Sequence, residues 1–552
     1  NLEGAANLPL SGDWAARISA QSQRRSDWAE NTAAGAATPK TEGYRDSAVR
    51  AQVLFEPHKQ FSALANVHFR DLDGSPRLFR ANAIKRGTND LADGFDAEKV
   101  AFNGVNEQTL RQSGGSLRLK WSLDGLNIYS ITGGEHVKPL SRGDIDGGVP
   151  GQPGVPFQSE TGSGMNGHRQ LTQEVRLESS TPGPLSWQAG VYLFDEKYTI
   201  DNITYNTTTH ADVDHIYTEQ TNKAGAVFGS INYAVSPELK LRAGLRYTKD
   251  KKDLSSTHAG TGLFNTSTGT TASTDDGKWS GDLSATYKLD ETTNLYARYA
   301  NGFRASSMQN ASAFAGQSQA GPENVNSYEI GFKSELLKRT LRLSGSLFTY
   351  TVKDLQLTAV GGSNNATRLL NAKKASGNGA ELNLEALITP DFLVSFGGSL
   401  NNTKIKDAGL GVPPGGSLKV NGAFPTVQDP IVNGLAMIDG NPLPNAPKYT
   451  VNLTARYSIP LPSGDEVYVY TDWAYRSKVN FFLYEATEFT GKALTEGGLR
   501  VGYLWGNGKY EAAGFVRNLT NQIRVTGAID FNNLTGFIND PRTYGVQFKA
   551  MF

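Results

Sequence analysis

The stretch Tyr449-Thr450-Val451-Asn452-Leu453-Thr454-Ala455-Arg456-Tyr457-Ser458-Ile459 sets Tyr, Val, Leu, Ala, Tyr and Ile on the odd positions and Thr, Asn, Thr, Arg and Ser on the even ones. Successive side chains of a β-strand point to opposite faces, so this is a strand with one apolar and one polar side. The split recurs in Leu241, Ala243, Leu245 and Tyr247 against Lys240, Arg242, Gly244 and Arg246. It recurs in Leu283, Ala285, Tyr287 and Leu289 against Asp282, Ser284, Thr286 and Lys288. Ala380, Leu382, Leu384 and Ala386 oppose Glu381, Asn383 and Glu385 in the same way, and Leu171, Val175 and Leu177 oppose Thr172, Glu174, Arg176 and Glu178. Such segments run for about ten residues, the length of a membrane-spanning strand (~9–11) and longer than the usual soluble strand (~5–6). Charges on the polar face suit a wet lumen. The competing reading is a soluble sandwich or propeller, whose second face would meet a core.

Connections between these segments alternate in length. Ten tight turns are expected, at 10–13, 56–58, 123–125, 182–184, 236–238, 289–291, 336–338, 389–391, 462–464 and 506–508. Between them lie long polar stretches at roughly 72–110, 132–168, 196–222, 249–278, 302–326, 354–376 and 404–447, with Pro150 to Pro156 as a stiff loop segment. Short turns on one side and long loops on the other are the pattern of outer-membrane barrels. Ten hairpins and a last strand from Thr543 to Phe552 make twenty-one strands. Single-chain bacterial barrels have an even number. The fold expected is therefore an all-β, antiparallel transmembrane β-barrel of about 22 strands, with its first strand before Asn1.

Composition agrees. The 552 residues are 38% hydrophobic, include 60 glycines and 10% aromatics, and contain no stretch of the ~18–20 apolar residues a spanning helix needs. Lys plus Arg equals Asp plus Glu at 54 each, which gives no reason to invoke nucleic acid. There is no cysteine, so disulfides and Cys-metal sites are excluded.

The closing strand alternates Tyr544, Val546, Phe548, Ala550 and Phe552 against Thr543, Gln547 and Lys549. A terminal aromatic on such a strand resembles the signal read by the barrel assembly machinery, with Tyr544, Val546, Phe548 and Phe552 as its side chains. Several further segments resemble TonB-dependent receptors. Pro322-Glu323 followed by Tyr328-Glu329, Gly331 and Lys333 is similar to their PE-x-x-x-x-YE-x-G-x-K stretch, and Asn371 to Glu381 to their NA-x-x-A-x-G-x-G-x-E strand start. Asn445 to Tyr449 resembles a loop end, Val516 to Asn521 with Pro541 to Gly545 the closing hairpin, and Gly302-Phe303-Arg304-Ala305 the GFRAP motif, with Ser306 in place of its proline. The resemblance covers nearly the whole chain in matching order. It implies one barrel over residues 1–552, with the plug domain and the TonB-contacting box before residue 1.

Chemistry is mostly absent. The seven histidines form no HExxH pattern, no G-x-S-x-G elbow occurs, and no phosphate loop follows the loop glycines. An enzyme, a cofactor and a metal centre are accordingly not expected. Two weak metal patterns are His210-Ala211-Asp212-Val213-Asp214-His215, which otherwise reads as a solvated loop, and Arg142-Gly143-Asp144-Ile145-Asp146-Gly147, which lacks the later Glu and the full spacing of a calcium loop. Phe481, Phe482 and Tyr484 lie at a loop, where they either face a ligand or pack the loop and interface girdle. Arg304 and Arg476 are candidate lumen or loop charges for an anionic ligand, or partners of structural carboxylates.

The resemblance implies active import of a scarce small-molecule ligand, an iron-siderophore complex being the commonest class. Its partners would be TonB, the inner-membrane proton-driven complex, outer-membrane lipids and the barrel assembly machinery. The alternative is a passive porin-like channel or an adhesive surface scaffold.

Overall fold

A computed structural model describes residues 1–552 apart from 153–154, 156, 261–268, 312–314, 362–365, 416–425 and 530–532. Those stretches include Pro153, Gly154 and Pro156 of the expected stiff loop and parts of several expected long loops, which therefore lie outside the described residues.

Among the described residues, twenty-one strands form one antiparallel sheet. The first seven are β1 (Leu2–Ser11), β2 (Trp14–Arg25), β3 (Tyr44–His58), β4 (Phe61–Gly74), β5 (Glu107–Leu123), β6 (Leu126–Asp144) and β7 (Glu160–Ser179). Next come β8 (Leu185–Tyr205), β9 (Asp212–Ala234), β10 (Leu239–Gly260), β11 (Thr270–Lys288), β12 (Thr293–Arg304), β13 (Glu323–Leu336) and β14 (Leu341–Gly361). The rest are β15 (Ala366–Thr389), β16 (Phe392–Ile405), β17 (Tyr449–Pro460), β18 (Glu466–Arg476), β19 (Leu494–Trp505), β20 (Tyr510–Arg517) and β21 (Thr543–Ala550). Each pairs with its sequence neighbour. Among the described residues β1 pairs only with β2 and β21 only with β20, so one ladder edge on each stays open.

All ten tight turns join paired strands. One sits two residues later than expected, at Lys59–Gln60, because the β3–β4 register shifts between Phe55 and His58. Pro57 lies in that irregularity, where a residue without an N–H costs no ladder bond. At the β19–β20 turn, Gly506, Asn507 and Gly508 have φ of 64°, 57° and 77°, left-handed conformations that glycine and asparagine adopt most readily.

Alternation sorts the side chains into two environments. Val227, Leu245, Leu283, Ile330 and Leu347 are each more than half exposed on the outer wall. An apolar belt of this extent is stable only against lipid. The intervening positions face the lumen and are polar, as in the Arg70–Asp46 pair at 2.7 Å across β3 and β4.

The long connections differ most from expectation. Much of 132–168, 196–222, 249–278 and 354–376 is strand, because the β6–β7, β8–β9, β10–β11 and β14–β15 ladders continue well beyond the membrane. Asp214 pairs with Gly260, and Asp250 with Asp276, in unbroken register with the spanning residues below. Above the lipid the outer face meets water, so the apolar-polar alternation fades while the backbone ladder persists.

The two-faced wall makes a direct prediction. Leu245→Arg on the lipid face should destabilise the barrel by about 2–4 kcal/mol. Ser284→Glu on the lumen face, opposite Arg242 and Arg298, should not destabilise it. Reversible urea unfolding in phospholipid vesicles measures both.

Candidate functional site

Five connections converge on the extracellular side: 26–43, 75–106, 406–448, 477–493 and 518–542. They bury an apolar core of their own. Ile84, Val412, Ala436, Ile438, Val479, Phe481, Leu483, Tyr484, Ala486, Phe489 and Val525 pack with Ile405 and with Leu357, Ala359 and Ala372 from β14 and β15. Fully burying one such large side chain is worth about 1.5–3 kcal/mol, so these loops hold a defined shape. A smaller core joins Ala29, Leu78, Val100 and Phe102, with Trp28 against it.

The three aromatics singled out by sequence separate here. Phe481 and Tyr484 are interior, 7% and 1% exposed. Phe482 is half-buried, stacked on Tyr484 with centroids 5.8 Å apart and edge-on to Phe489 at 4.8 Å. Tyr484 Oη accepts a hydrogen bond from the Gly415 N–H at 3.2 Å.

A carboxylate fastens the loops to one another. Glu488 is fully buried, and its oxygens accept from the Gly87 N–H at 2.8 Å, the Thr426 N–H at 2.8 Å and the Thr426 hydroxyl at 3.0 Å. The Asn89 side-chain amide donates to the Glu488 backbone carbonyl at 2.5 Å. A buried charge is tolerated when several donors face it, and these come from two other connections, 75–106 and 406–448.

A second polar junction sits at the tops of β6 and β7. Asp144 accepts from the Asn103, Gly104 and Gly147 N–H groups at 3.0, 2.7 and 3.0 Å. Asp146 accepts from the Gly148 and Ser159 N–H groups at 3.1 and 2.7 Å. Glu160, 1% exposed, accepts from Arg142 Nε at 2.7 Å and contacts His210 Nδ1 at 2.7 Å. A Cβ on residue 104 would stand 2.9 Å from Asp144 Cβ, so only glycine lets the 75–106 loop approach this closely. Burial, then the charge of Asp144, pushes the Asp146 carboxyl up to about 7. Burial likewise raises Asp144.

Arg476 ends β18 on the lumen-facing parity, half-buried, with Thr450 and Leu494 as its register partners. Its Nη1 is buried without a hydrogen-bond partner among the described residues. Arg304 ends β12 on the same parity, exposed, opposite Glu323. The two arginines and Phe482 thus sit at strand tops and loops around the extracellular mouth.

The histidine-rich segment divides between partners. His210 contacts Glu160, His215 contacts Asp201 at 2.9 Å and Asp212 at 3.3 Å, and Asp214 contacts His258 at 2.6 Å. Burial disfavours charged His215, but the two aspartates outweigh it and hold its pKa above the usual value. Among the described residues no three His, Asp or Glu side chains converge on one metal position. Sequence reading missed Glu488 and the Asp144–Asp146–Glu160 junction as organising groups. For Glu488 the signal was a glutamate inside the aromatic run Phe481 to Phe489, and for the junction it was the Arg142–Gly147 pattern, weighed only as a calcium loop.

Residues 55–519 match the family model described as TonB dependent receptor-like, beta-barrel. In solved structures the fold is similar to the ferric yersiniabactin uptake receptor FyuA of Yersinia pestis, at TM-score 0.79 and 16% identity over 100% of this chain and 77% of that one. The siderophore receptor PiuA of Acinetobacter baumannii is similar at 0.73 and 16%, over 99% and 79% of the two chains. The closed form of the ferric-catecholate import receptor Fiu of E. coli K12 gives 0.72 and 16%, over 99% and 79%.

Glu488→Ala should leave donors from two other loops without an acceptor and loosen the cluster by about 3–5 kcal/mol. Hydrogen exchange at 85–90 and 477–493 reads this, with Glu488→Gln milder. The Asp146 junction gives a pH dependence. An unfolded Asp titrates near ~3.9 and the folded Asp146 near about 7. The junction's stability should therefore be greatest below ~pH 4, fall as the pH rises to ~7, and level off above it. Hydrogen exchange at 100–106 and 144–160, corrected for intrinsic rates, should follow that course, and Asp146→Asn should flatten it.

Proposed function

Because the chain belongs to the TonB-dependent receptor-like β-barrel family, an outer-membrane family of receptors and transporters that act with TonB on small-molecule ligands, we propose that it imports a ferric siderophore complex across the bacterial outer membrane. The observation that carries the reading is the family match through residues 55–519, joined to a fold shared with FyuA, PiuA and Fiu, whose names state ferric-siderophore receptor or import roles.

The chain's own residues fit this division of labour. The loop core and Glu488 hold the extracellular connections in one shape, which lowers the ordering cost of binding. Arg304, Arg476 and Phe482 supply two cations and an aromatic surface at the mouth, the mixture of convergent polar groups and apolar rings expected of a ligand site. Tyr484 and Phe489 hold the Phe482 ring in place. The barrel performs no covalent step; work comes from the proton-driven inner-membrane complex through TonB, acting on a plug in the lumen.

The same reading assigns a further strand to the open edges of β1 and β21, which would close the wall at 22 strands. Tyr544, Val546, Phe548 and Phe552 project from the outer side of the last strand, from 66% to fully exposed, as the surface offered to the assembly machinery and then to lipid.

Uptake of radiolabelled ferric siderophores should fall to background in cells lacking TonB. Accumulation that continues undiminished would point to the passive-pore reading, and no accumulation in either strain to a surface scaffold. Arg304→Ala and Arg476→Ala should each raise the half-saturating concentration by about tenfold, the worth of one charge-assisted contact.

A further inference from the structure

The extracellular rim of the outer wall is not evenly charged. Lys353, Lys374 and Lys404 stand 12, 15 and 12 residues along β14, β15 and β16 from the periplasmic ends Leu341, Thr389 and Phe392. A spanning strand uses ~9–11 residues, so these lysines lie at the level of the outer-leaflet headgroups. They share the outward parity of Leu347, Leu382 and Leu400 below them. Lys353 is the direct register partner of Lys374, and the Lys406 N–H donates to the Lys374 carbonyl at 2.8 Å. Lys448, whose carbonyl accepts from the Asn401 N–H, joins them at the top of β17. All five lysines are exposed.

Like charges directly opposite one another on a sheet face repel. Elsewhere on the rim carboxylates relieve that repulsion. Along β7–β11 at the same height, Asp195 meets Arg169 and Lys223, Glu219 meets Lys197, Asp253 meets Lys251 and Asp275 meets Lys249. Over β14–β17 none of the five lysines makes an ion pair among the described residues. The carboxylates nearest them by chain or hydrogen bond are Asp354, Asp407 and Asp439. Asp407 is engaged by Lys373 at 3.3 Å, and Asp439 accepts from the Asp407 N–H at 2.7 Å. With all three counted, and Lys373 added to the lysines, six cations still face three carboxylates.

Below this rim the apolar belt is dented. Gly345 and Gly398 take outward positions on β14 and β16 and floor a groove of about 800 Å³, walled by Ile330, Leu347, Leu400 and Tyr449. A Cβ on residue 345 would stand 2.8 Å from the Phe332 ring, so only glycine lets that ring lie against β14. The groove ends upward at Tyr449, and Lys448 Nζ lies over the Tyr449 ring at 5.5 Å. Groove and cationic rim are therefore continuous. Hydrocarbon surrounds the belt, so an acyl chain is what fills a dent in it. Clustered lysines at headgroup height attract anionic headgroups, phosphate above all.

We propose that β14–β17 form a binding site for one phosphorylated lipid of the outer leaflet: Lys353, Lys374, Lys404, Lys406 and Lys448 hold its phosphate, and an acyl chain lies in the groove over Gly345 and Gly398. The proposal goes beyond the import reading and needs only the barrel in its membrane.

Native mass spectrometry of the purified protein in detergent, titrated with diphosphoryl lipid A, reads retained lipid directly. One bound lipid is expected. The triple variant Lys353→Gln, Lys374→Gln, Lys404→Gln should bind at least about tenfold more weakly. Ala380→Phe, which fills the groove without touching the rim charge, should also weaken binding. Single lysine variants should show graded losses, which serve if the triple variant fails the heat-modifiability check for a folded barrel. Lys249→Gln with Lys251→Gln, on the compensated part of the rim, should leave binding unchanged. Dioleoylglycerol, which has acyl chains and no phosphate, should not be retained. Absence of a lipid A adduct, rim or groove variants that bind as tightly as wild type, or equal retention of dioleoylglycerol would overturn the proposal. Failure is separable from failure of the import reading, because TonB-independent uptake sinks active import and leaves each of these outcomes as it stands.

Discussion

Backbone amides and carbonyls find no partners in hydrocarbon, and the rest of this structure follows from that constraint. Each spanning segment must satisfy every N–H and C=O within protein, so extended segments survive only in a continuous ladder. Among the described residues twenty-one strands joined neighbour to neighbour meet the demand everywhere but at the outer edges of β1 and β21. Once the ladder is fixed, the pleat dictates the side chains: every second residue touches lipid and the others line the lumen. The modest 38% hydrophobic content is a consequence, since only one face of each strand needs to be apolar.

Outside the membrane the constraint relaxes and different physics takes over. The β8–β9 and β10–β11 ladders continue upward, where polar contacts such as Asp214–His258 occupy positions that lipid-facing and lumen-facing residues fill below. On the other side of the mouth, the connections do not extend the sheet. They collapse on Phe481, Tyr484 and Phe489 and are tied by the buried Glu488 carboxylate. The extracellular face therefore combines tall hairpins with a loop-built core, and the Asp144–Asp146–Glu160 junction links 75–106 to the tops of β6 and β7. Burial and the charge of Asp144 raise the Asp146 carboxyl, which gives that link a pH dependence.

Much of the fold was legible because period two is imposed by lipid. The Tyr449–Ile459 pattern, all ten tight turns and the count of twenty-one strands could be read directly, with one turn displaced by the Phe55/His58 irregularity. Strand ends above the membrane were not legible, since water on the outer face imposes no alternation; 249–278 reads as loop yet is mostly the β10–β11 hairpin. The site was legible only in part. Arg304 and Arg476, offered by the sequence as lumen or loop charges, stand on the lumen-facing parity at strand tops. The fates of Phe481, Phe482 and Tyr484 depended on which distant loops pack against them, and contacts between 75–106 and 477–493 span about four hundred residues of sequence. Glu488 went unmarked because nothing local in the sequence points to its three donors.

The central claim is that one face of every strand meets lipid and the other meets the lumen. A nitroxide scan along β17, with the protein in lipid vesicles, tests it most directly by comparing collision with oxygen, which partitions into hydrocarbon, and with a water-soluble nickel chelate. Labels at 451, 453, 455 and 457 should favour oxygen, and labels at 452, 454, 456 and 458 the chelate, alternating with a period of two. Equal chelate access at both sets would mean that water bathes both faces, and would contradict the account.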